Sequence, residues 1–278
     1  MKMMRSLLRF FCRTFPVRGR HRLADSLGSK IAPAGEEIID IDGIAFPIDH
    51  SIEMYRYVYY GIYEEHFVNL LKRIIRPGDV VIEPGANIGY ITAILSSLVG
   101  PKGKVYSLEP SMICYKKIKN YLVKPNIELL NVAIADADGQ LNFIDKEIVI
   151  AHGYSSFSTF TGKKGNDNEY LIDTIAVDSL AKQKNISQAR LLKLDVEGAE
   201  LMAIKGASEM LTAHKIDYVL VETAFVDSLK EINTEIYQLL KGHGYSCYLM
   251  ERKRLVSFDY SSEKNSRHDV IWTYIPQS

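Results

Sequence analysis

The chain has 278 residues, 47% hydrophobic and 24% charged, and its formal net charge is zero. That suits one large globular domain or two modest ones and gives no global attraction to nucleic acid, so no nucleic-acid partner is expected. Cys12, Cys114 and Cys247 are scattered, with no C-x-x-C or His/Cys cluster, which excludes a disulfide scaffold and a structural zinc site and fits a reducing, cytoplasmic setting; no run approaches the ~20 apolar residues of a spanning helix.

The charge is unevenly placed. Residues 1–30 carry eight basic side chains against Asp25 alone, a net of +7, and the remainder carries −7. Leu7, Leu8, Phe10, Phe11 and Phe15 interleave with the arginines, and Arg9 and Arg13 interrupt the apolar stretch too often for a signal peptide. Such a segment can lie on an anionic membrane as a basic amphipathic helix, making the protein peripheral at the membrane. It can also be an arm packed on its own domain, the commoner fate of amphipathic helices and the expectation here.

E-I-I-D-I-D-G-I-A-F-P-I, residues 37–48, reads as a hairpin about Asp42-Gly43. Tyr55, Tyr57, Tyr59, Tyr60 and Tyr63 follow closely; they suit either the wall of an acceptor pocket or, more commonly, packing between hairpin and main sheet. A helix over 64–75 ends at Arg76-Pro77-Gly78.

The stretch that organises the rest is D-V-V-I-E-P-G-A-N-I-G-Y-I-T-A-I-L-S-S-L-V, residues 79–99. Val80, Val81 and Ile82 suit a buried parallel strand; Ile91, Ile94, Leu95 and Leu98 recur at helical spacing. Between them Gly85 and Gly89 make a strand–glycine loop–helix unit, which in α/β folds holds a nucleotide-like ligand at the first strand's carboxyl end. The spacing is G-x-x-x-G, so the dinucleotide fingerprint fails, and no Gly-Lys-Ser/Thr follows, so the phosphate-binding loop fails too. What remains, E-x-G-x-N-x-G, looks like the first motif of Rossmann-like S-adenosylmethionine-dependent methyltransferases. A tight turn in another α/β protein fits the loop equally well when it is taken alone.

A second strand, 104–108, ends at Glu109-Pro110. A carboxylate roughly twenty residues past the glycine loop is placed to hold ribose hydroxyls; the alternative is a helix-capping role at the start of a helix over 111–123. Next come a third strand at 127–130 with its exit at 131–134, short strands over 140–150, and a polar loop over 151–169 dotted with Tyr154, Phe157 and Phe160, where His152 is a candidate base. A strand over 173–177 leads to a short helix capped by Asp178. The apolar run Leu191-Leu192-Lys193-Leu194 ends at Asp195-Val196-Glu197-Gly198-Ala199-Glu200, and a further strand ends at Glu222. After a helix over 229–241, segments 245–250 and 270–275 read as closing antiparallel strands.

Three segments, V-V-I-E-P-G-A-N-I-G-Y, L-E-P-S and L-L-K-L-D-V-E-G-A-E-L-M-A-I-K-G-A, together resemble the FkbM family of methyltransferases over residues 79–222. One departure is that Glu83-Pro84 stands where the family's first motif has Asp and an apolar residue. The resemblance implies an α/β, Rossmann-like class I methyltransferase fold with a mostly parallel twisted sheet; the segments read above add an antiparallel last strand and an N-terminal helix and hairpin extension. Together they divide the chain into an extension, 1–62, and a catalytic domain, 63–278, with a β/loop insertion near 140–170. It implies S-adenosylmethionine as cofactor and a sugar, glycan or related small-molecule hydroxyl as acceptor. Carried over by residue, Gly85, Ala86, Asn87 and Gly89 surround the methionine part, Glu83 supports its ammonium, Glu109 holds the ribose, and Asn131 and Ala133 flank the adenine. Asp195 faces the methyl group. A hydroxyl acceptor needs a general base, for which Asp195 and Glu197 are first choices and Glu222 and His152 outside ones; Glu200 suits the first turn of the next helix. No metal is expected. The competing readings are another Rossmann-like enzyme, disfavoured by the glycine spacing, and a non-catalytic membrane-associated binding protein on the same fold.

Overall fold

Side chains alternate along the central strands, and that alternation builds the molecule. On β3 (Val80–Pro84) Val81 points to one face and Ile82 to the other; on β10 (Ala189–Leu194) Leu191 and Leu192 divide the same way. Strands apolar on both faces must be covered on both, so the sheet sits between two helical layers. The computed structural model describes residues 2–15, 17–33, 35–145, 156–157, 168–196, 198–224, 230–251, 254–258 and 267–274.

The main sheet has eight strands in the order β13-β12-β14-β11-β10-β3-β4-β5. Here β4 is Lys104–Leu108, β5 Ile127–Leu130, β11 Ile216–Ala224, β12 Ser246–Glu251, β13 Arg254–Ser257 and β14 Arg267–Thr273. Strands β5, β4, β3, β10 and β11 run parallel. The chain reverses its order of strand placement between β3 and β10, and ligands in such sheets bind at the carboxyl ends beside that switch. This is the Rossmann-like class I arrangement, with β14 antiparallel between β11 and β12. Segment 245–250 departs from expectation: because β14 opposes both neighbours, β12 runs with the parallel strands. It is reached by a crossover through the helix Lys230–Gly242 rather than by a hairpin.

One face carries α5 (Glu65–Ile74) and α6 (Tyr90–Val99), and also the N-terminal extension. That extension comprises α1 (Lys2–Thr14), α2 (Arg20–Leu23), a π-helical turn (Ala24–Gly28), α3 (Ser29–Ile31), the hairpin β1 (Glu36–Ile41) and β2 (Ile44–Asp49), and α4 (Glu53–Tyr60). The hairpin turns at Asp42 and Gly43, both with positive φ (49° and 81°), as a type I′ turn requires. Leu8, Cys12, Ile31, Phe46, Tyr55 and Tyr60 join one continuous core with Val81, Val105 and Leu191. The extension at 1–62 and the sheet therefore share a core, and the arm packs on its domain. Arg5 pairs with Glu37, Arg20 with Glu65, and Arg9 lies over the Tyr59 ring at 4.8 Å.

The other face carries α8 (Val177–Lys184), α9 (Glu200–Lys205), α10 (Ser208–Thr212) and α11 (Lys230–Gly242). Asp178 caps no helix of its own; its carboxylate accepts from Glu209 N (2.8 Å) and Met210 N (3.0 Å) at the start of α10. The third strand's exit also differs from the sequence expectation. After β5 the chain leaves the main sheet, and β6 (Ala133–Ala135) joins β7 (Gly139–Asp145), β8 (Ser156–Phe157) and β9 (Asn168–Ala176) in a second sheet ordered β6-β9-β7-β8. Its Tyr170 hydroxyl accepts from Met112 N (2.8 Å) and donates to Pro110 O (3.0 Å), tying this small sheet to the loop after β4. Among the described residues no helix is long and apolar enough to cross a membrane.

Candidate active site

The loop after β3 folds over the end of β4. Gly85 N and Ala86 N both donate to Leu108 O (2.8 and 3.1 Å), and Gly89 N donates to Ala86 O (2.7 Å) before α6 begins. Gly85 has φ +81°, and a Cβ there would fall 2.0 Å from the backbone oxygen of Asp195. Glycine is thus what allows the end of β3 to touch the end of β10. Asn87 also has positive φ, 50°, and its N–H donates to Glu109 Oε2 (2.6 Å) while Ser111 N donates to Oε1 (2.8 Å).

Glu109 therefore stitches the loops after β3 and β4 together. Capping of the next helix, α7 (Met112–Ile118), belongs instead to Ser111, whose Oγ accepts from Cys114 N (3.1 Å). Asn131 props the same loop from the far side, with Nδ2 donating to Glu109 O (2.8 Å) and Pro110 O (3.2 Å). Ala133 is fully buried against Phe143, Ile172 and Ala199. Its methyl frames the site from behind and has no surface with which to touch a ligand.

Beneath the glycine loop lies a cluster of charges. Glu83 is fully buried; its Oε2 accepts from Ser107 Oγ (2.6 Å) on β4, and Oε1 has no hydrogen-bond partner among the described residues. Burial raises its pKa to about 7; Lys193 and the hydroxyls of Ser107 and Thr92 oppose that shift, and Asp195 adds to it. Lys193 is 3% exposed, and its Nζ donates to Asp195 Oδ2 (3.0 Å). Burial works against its charge, but Asp195, Glu83 and Glu222 more than offset burial, and its pKa is raised. A buried ammonium among carboxylates is held as a charge by them. The Asp195 side chain itself is 44% exposed, so the lysine aims a carboxylate into open space.

The turn after Asp195 is fixed by Glu200, whose carboxylate accepts from Val196 N (3.1 Å) and Gly198 N (3.0 Å) in the first turn of α9. Two aromatic rings, Tyr63 from the α4–α5 connection and Tyr90 from the start of α6, stand 5.5 Å apart and edge-on, with Asp195 close enough to act on the Tyr63 phenol. Burial first, then the charges of Glu64, Asp195 and Glu222, push the Tyr63 phenol well above its ordinary pKa, so it stays a neutral donor. Of the tyrosine cluster, Tyr55, Tyr59 and Tyr60 are core, and Tyr63 borders the site.

The structure thus brings Glu83, Gly85, Ala86, Asn87, Gly89, Glu109, Asn131 and Asp195 to one end of the sheet. Glu197, His152, Tyr154 and Phe160 lie outside the described residues. Lys193 and Tyr90 were not singled out by sequence reasoning, and Tyr63 was named only as one of five clustered tyrosines. The signal for Lys193 was available, since a lysine inside an otherwise apolar strand must find a partner. Among the described residues no group of three or more His, Cys, Asp or Glu could hold a metal ion.

The methyltransferase FkbM domain family matches residues 83–247. A hexuronic acid methyltransferase of Haloferax volcanii, AglP, is 26% identical over 161 residues, 57% of this chain and 62% of its own length. Methyltransferase sdnD of Sordaria araneosa is 22% identical over 239 residues, 75% of this chain and 88% of its own. Among solved structures, an FkbM methyltransferase of Methylobacillus flagellatus has 15% identity and a TM-score of 0.45, covering 92% of this chain and 59% of that one.

Proposed function

The chain belongs to the FkbM methyltransferase family, and from that premise we propose that it transfers the methyl group of S-adenosylmethionine to a hydroxyl of a sugar, glycan or related small metabolite. The observation that carries the proposal is Asp195, a half-exposed carboxylate aimed by buried Lys193 at the carboxyl end of a central strand beside the glycine loop. The likeness to a hexuronic acid methyltransferase supports a sugar acceptor.

The residues present fit the cofactor. When bound, S-adenosylmethionine supplies an electrophilic methyl group. Glu83 Oε1 and Asn87 Oδ1 are buried acceptors with no protein donor among the described residues, the chemistry an ammonium group requires. The Glu109 carboxylate at the end of β4 suits ribose hydroxyls, while the Gly85–Gly89 backbone leaves room for the methionine part and Asn131 flanks the adenine. Asp195, or Glu197 two residues on, takes the proton from the acceptor hydroxyl as its oxygen attacks. The tyrosine side of the crevice orients the acceptor and keeps water out.

Labelled S-adenosylmethionine offered with neutral sugars and uronic acids tests the proposal. A methyl ether survives mild alkali, whereas a methyl ester on a uronic carboxylate is released as methanol. Alkali-stable label on a sugar is the expected result, and label released entirely as methanol, or no label on any sugar, would overturn it.

Two further results are expected at the cofactor site. Glu109→Ala strips the partners from Asn87 N–H and Ser111 N–H and removes the ribose acceptor, so S-adenosylmethionine affinity should weaken by about 1.5–3 kcal/mol. Calorimetry showing unchanged affinity would remove Glu109 from the site. Glu83, with its pKa raised to about 7 by burial, favours the fold most below its ordinary 4.5, and that contribution is lost as pH rises through about 7. An ammonium bound nearby favours the carboxylate, so binding below about pH 7 should release a proton, and affinity should fall as pH drops from there. Binding enthalpy at pH ~6 should then vary with the buffer's ionisation heat, and Glu83→Gln should abolish the variation.

A further inference from the structure

Helix α1 buries only half of its apolar surface. Leu8 and Cys12 face the core, while Met3, Leu7 and Phe10, spaced i, i+4, i+7 along the outer side, are 75%, 60% and 63% exposed. The apolar strip continues past the helix end through Phe15, whose ring contacts Phe10 (6.4 Å) and Phe11 (5.5 Å), to Val17. A helix that served only to pack on its domain would carry polar groups there, and a contiguous apolar patch marks an interaction surface.

The charge around the patch selects the partner. Arg5 and Arg20 are engaged by Glu37 and Glu65 inside the fold, but Lys2, Arg13, Arg18, Arg22 and Lys30 are exposed. The one acid of the first thirty residues, Asp25, accepts from the Tyr57 hydroxyl (2.6 Å) and pairs with Arg56. A second copy docked symmetrically on this face would bring the same cations against one another. An anionic lipid surface satisfies both halves of the pattern, taking the apolar ridge among its acyl chains and the cations among its headgroups.

We propose that the outer face of α1, with Phe15 and Val17, seats this enzyme on an anionic membrane. The seat lies next to the site: Arg13 packs so closely on Gly61 that a Cβ there would fall 2.6 Å from its Nε, and Tyr63 of the crevice follows two residues later. Docking therefore places the acceptor side of the crevice close to the lipid surface. The inference stands on the first thirty residues and does not depend on which hydroxyl is methylated.

Sedimentation of the full chain with vesicles tests it, comparing phosphatidylcholine alone with phosphatidylcholine containing about 30% phosphatidylglycerol. Binding should require the anionic lipid and fade as salt rises. The double variant Leu7→Glu/Phe10→Glu changes exposed side chains only, so it should keep the parent's melting temperature and cofactor affinity while losing at least about tenfold in vesicle affinity. Arg18→Gln/Arg22→Gln should weaken binding at low salt and flatten its salt dependence. Absence of parent binding to anionic vesicles overturns the proposal, as does a Leu7→Glu/Phe10→Glu variant that binds as well as the parent. A parent that is dimeric by light scattering and split by that variant, with no vesicle binding, assigns the face to a second copy instead.

Discussion

Asp195→Asn should lower kcat by about 10²–10⁴-fold with little change in S-adenosylmethionine affinity. The substitution keeps the side chain's shape and removes its capacity to accept a proton. Lys193 stays buried, with Glu83 and Glu222 still favouring its charge, so the strand end keeps its structure. The result separates two roles that the position alone leaves together. A lost base lowers the rate at saturating cofactor; a lost cofactor contact weakens binding and rate in parallel. It also separates acceptors. A uronic carboxylate already carries the charge of its nucleophile, so transfer to it needs no base and should be nearly indifferent to the change. Near-normal kcat on a hydroxyl acceptor in both Asp195→Asn and Glu197→Gln would place the base elsewhere, with His152 the next residue to replace.

Gly85→Ala should cost more than any other single methyl group in the loop. Two penalties combine. A non-glycine residue at φ +81° is strained by about 1–2 kcal/mol. The new Cβ would also lie 2.0 Å from the Asp195 backbone oxygen, so β3 and β10 must part at the end of the sheet that carries the proposed site. Overpacking against backbone costs typically about 1–3 kcal/mol, and a 1 Å displacement in a site can cost about 10²-fold in rate. Turnover and cofactor affinity should therefore fall together, with a lower melting temperature. Gly78→Ala is the control: its φ is +94° but nothing lies within 4 Å of the added Cβ, so it carries the strain without the collision. If both variants melt and turn over alike, the close approach at Gly85 does not matter.

The local parts of this structure were legible because their causes are local. Apolar runs, the turn at Asp42-Gly43, the glycine loop and the acid at residue 109 are written within a few neighbouring residues, and the hairpin, β3, α6 and β4 follow from them. The charge cluster was not legible in the same way. Lys193 meets Glu83 only because β10 inserts beside β3 more than a hundred residues later in the chain, and periodicity states which face a side chain takes without stating what it finds there. The same limit hid the direction of β12, which depends on β14 opposing both of its neighbours. It also hid the partner of Asp178, which looks like a cap for its own helix and serves the start of α10. Tyr63 illustrates the converse: five tyrosines with one compositional signature divide, Tyr55, Tyr59 and Tyr60 into the core, Tyr57 onto Asp25 and Glu53, and Tyr63 toward Tyr90 and Asp195.

Tyr170 links the small sheet to the ribose side of the site through two hydrogen bonds, one from Met112 N and one to Pro110 O, and Asn131 also donates to that Pro110 oxygen. Two binding events therefore share one mechanical element. If an acceptor draws β7 and β9 toward itself, the free energy spent or gained in shifting Tyr170 reappears, with the same sign and size, in the hold on the cofactor. By reciprocity the donor, once seated, would change the small sheet's affinity for an acceptor by the same factor.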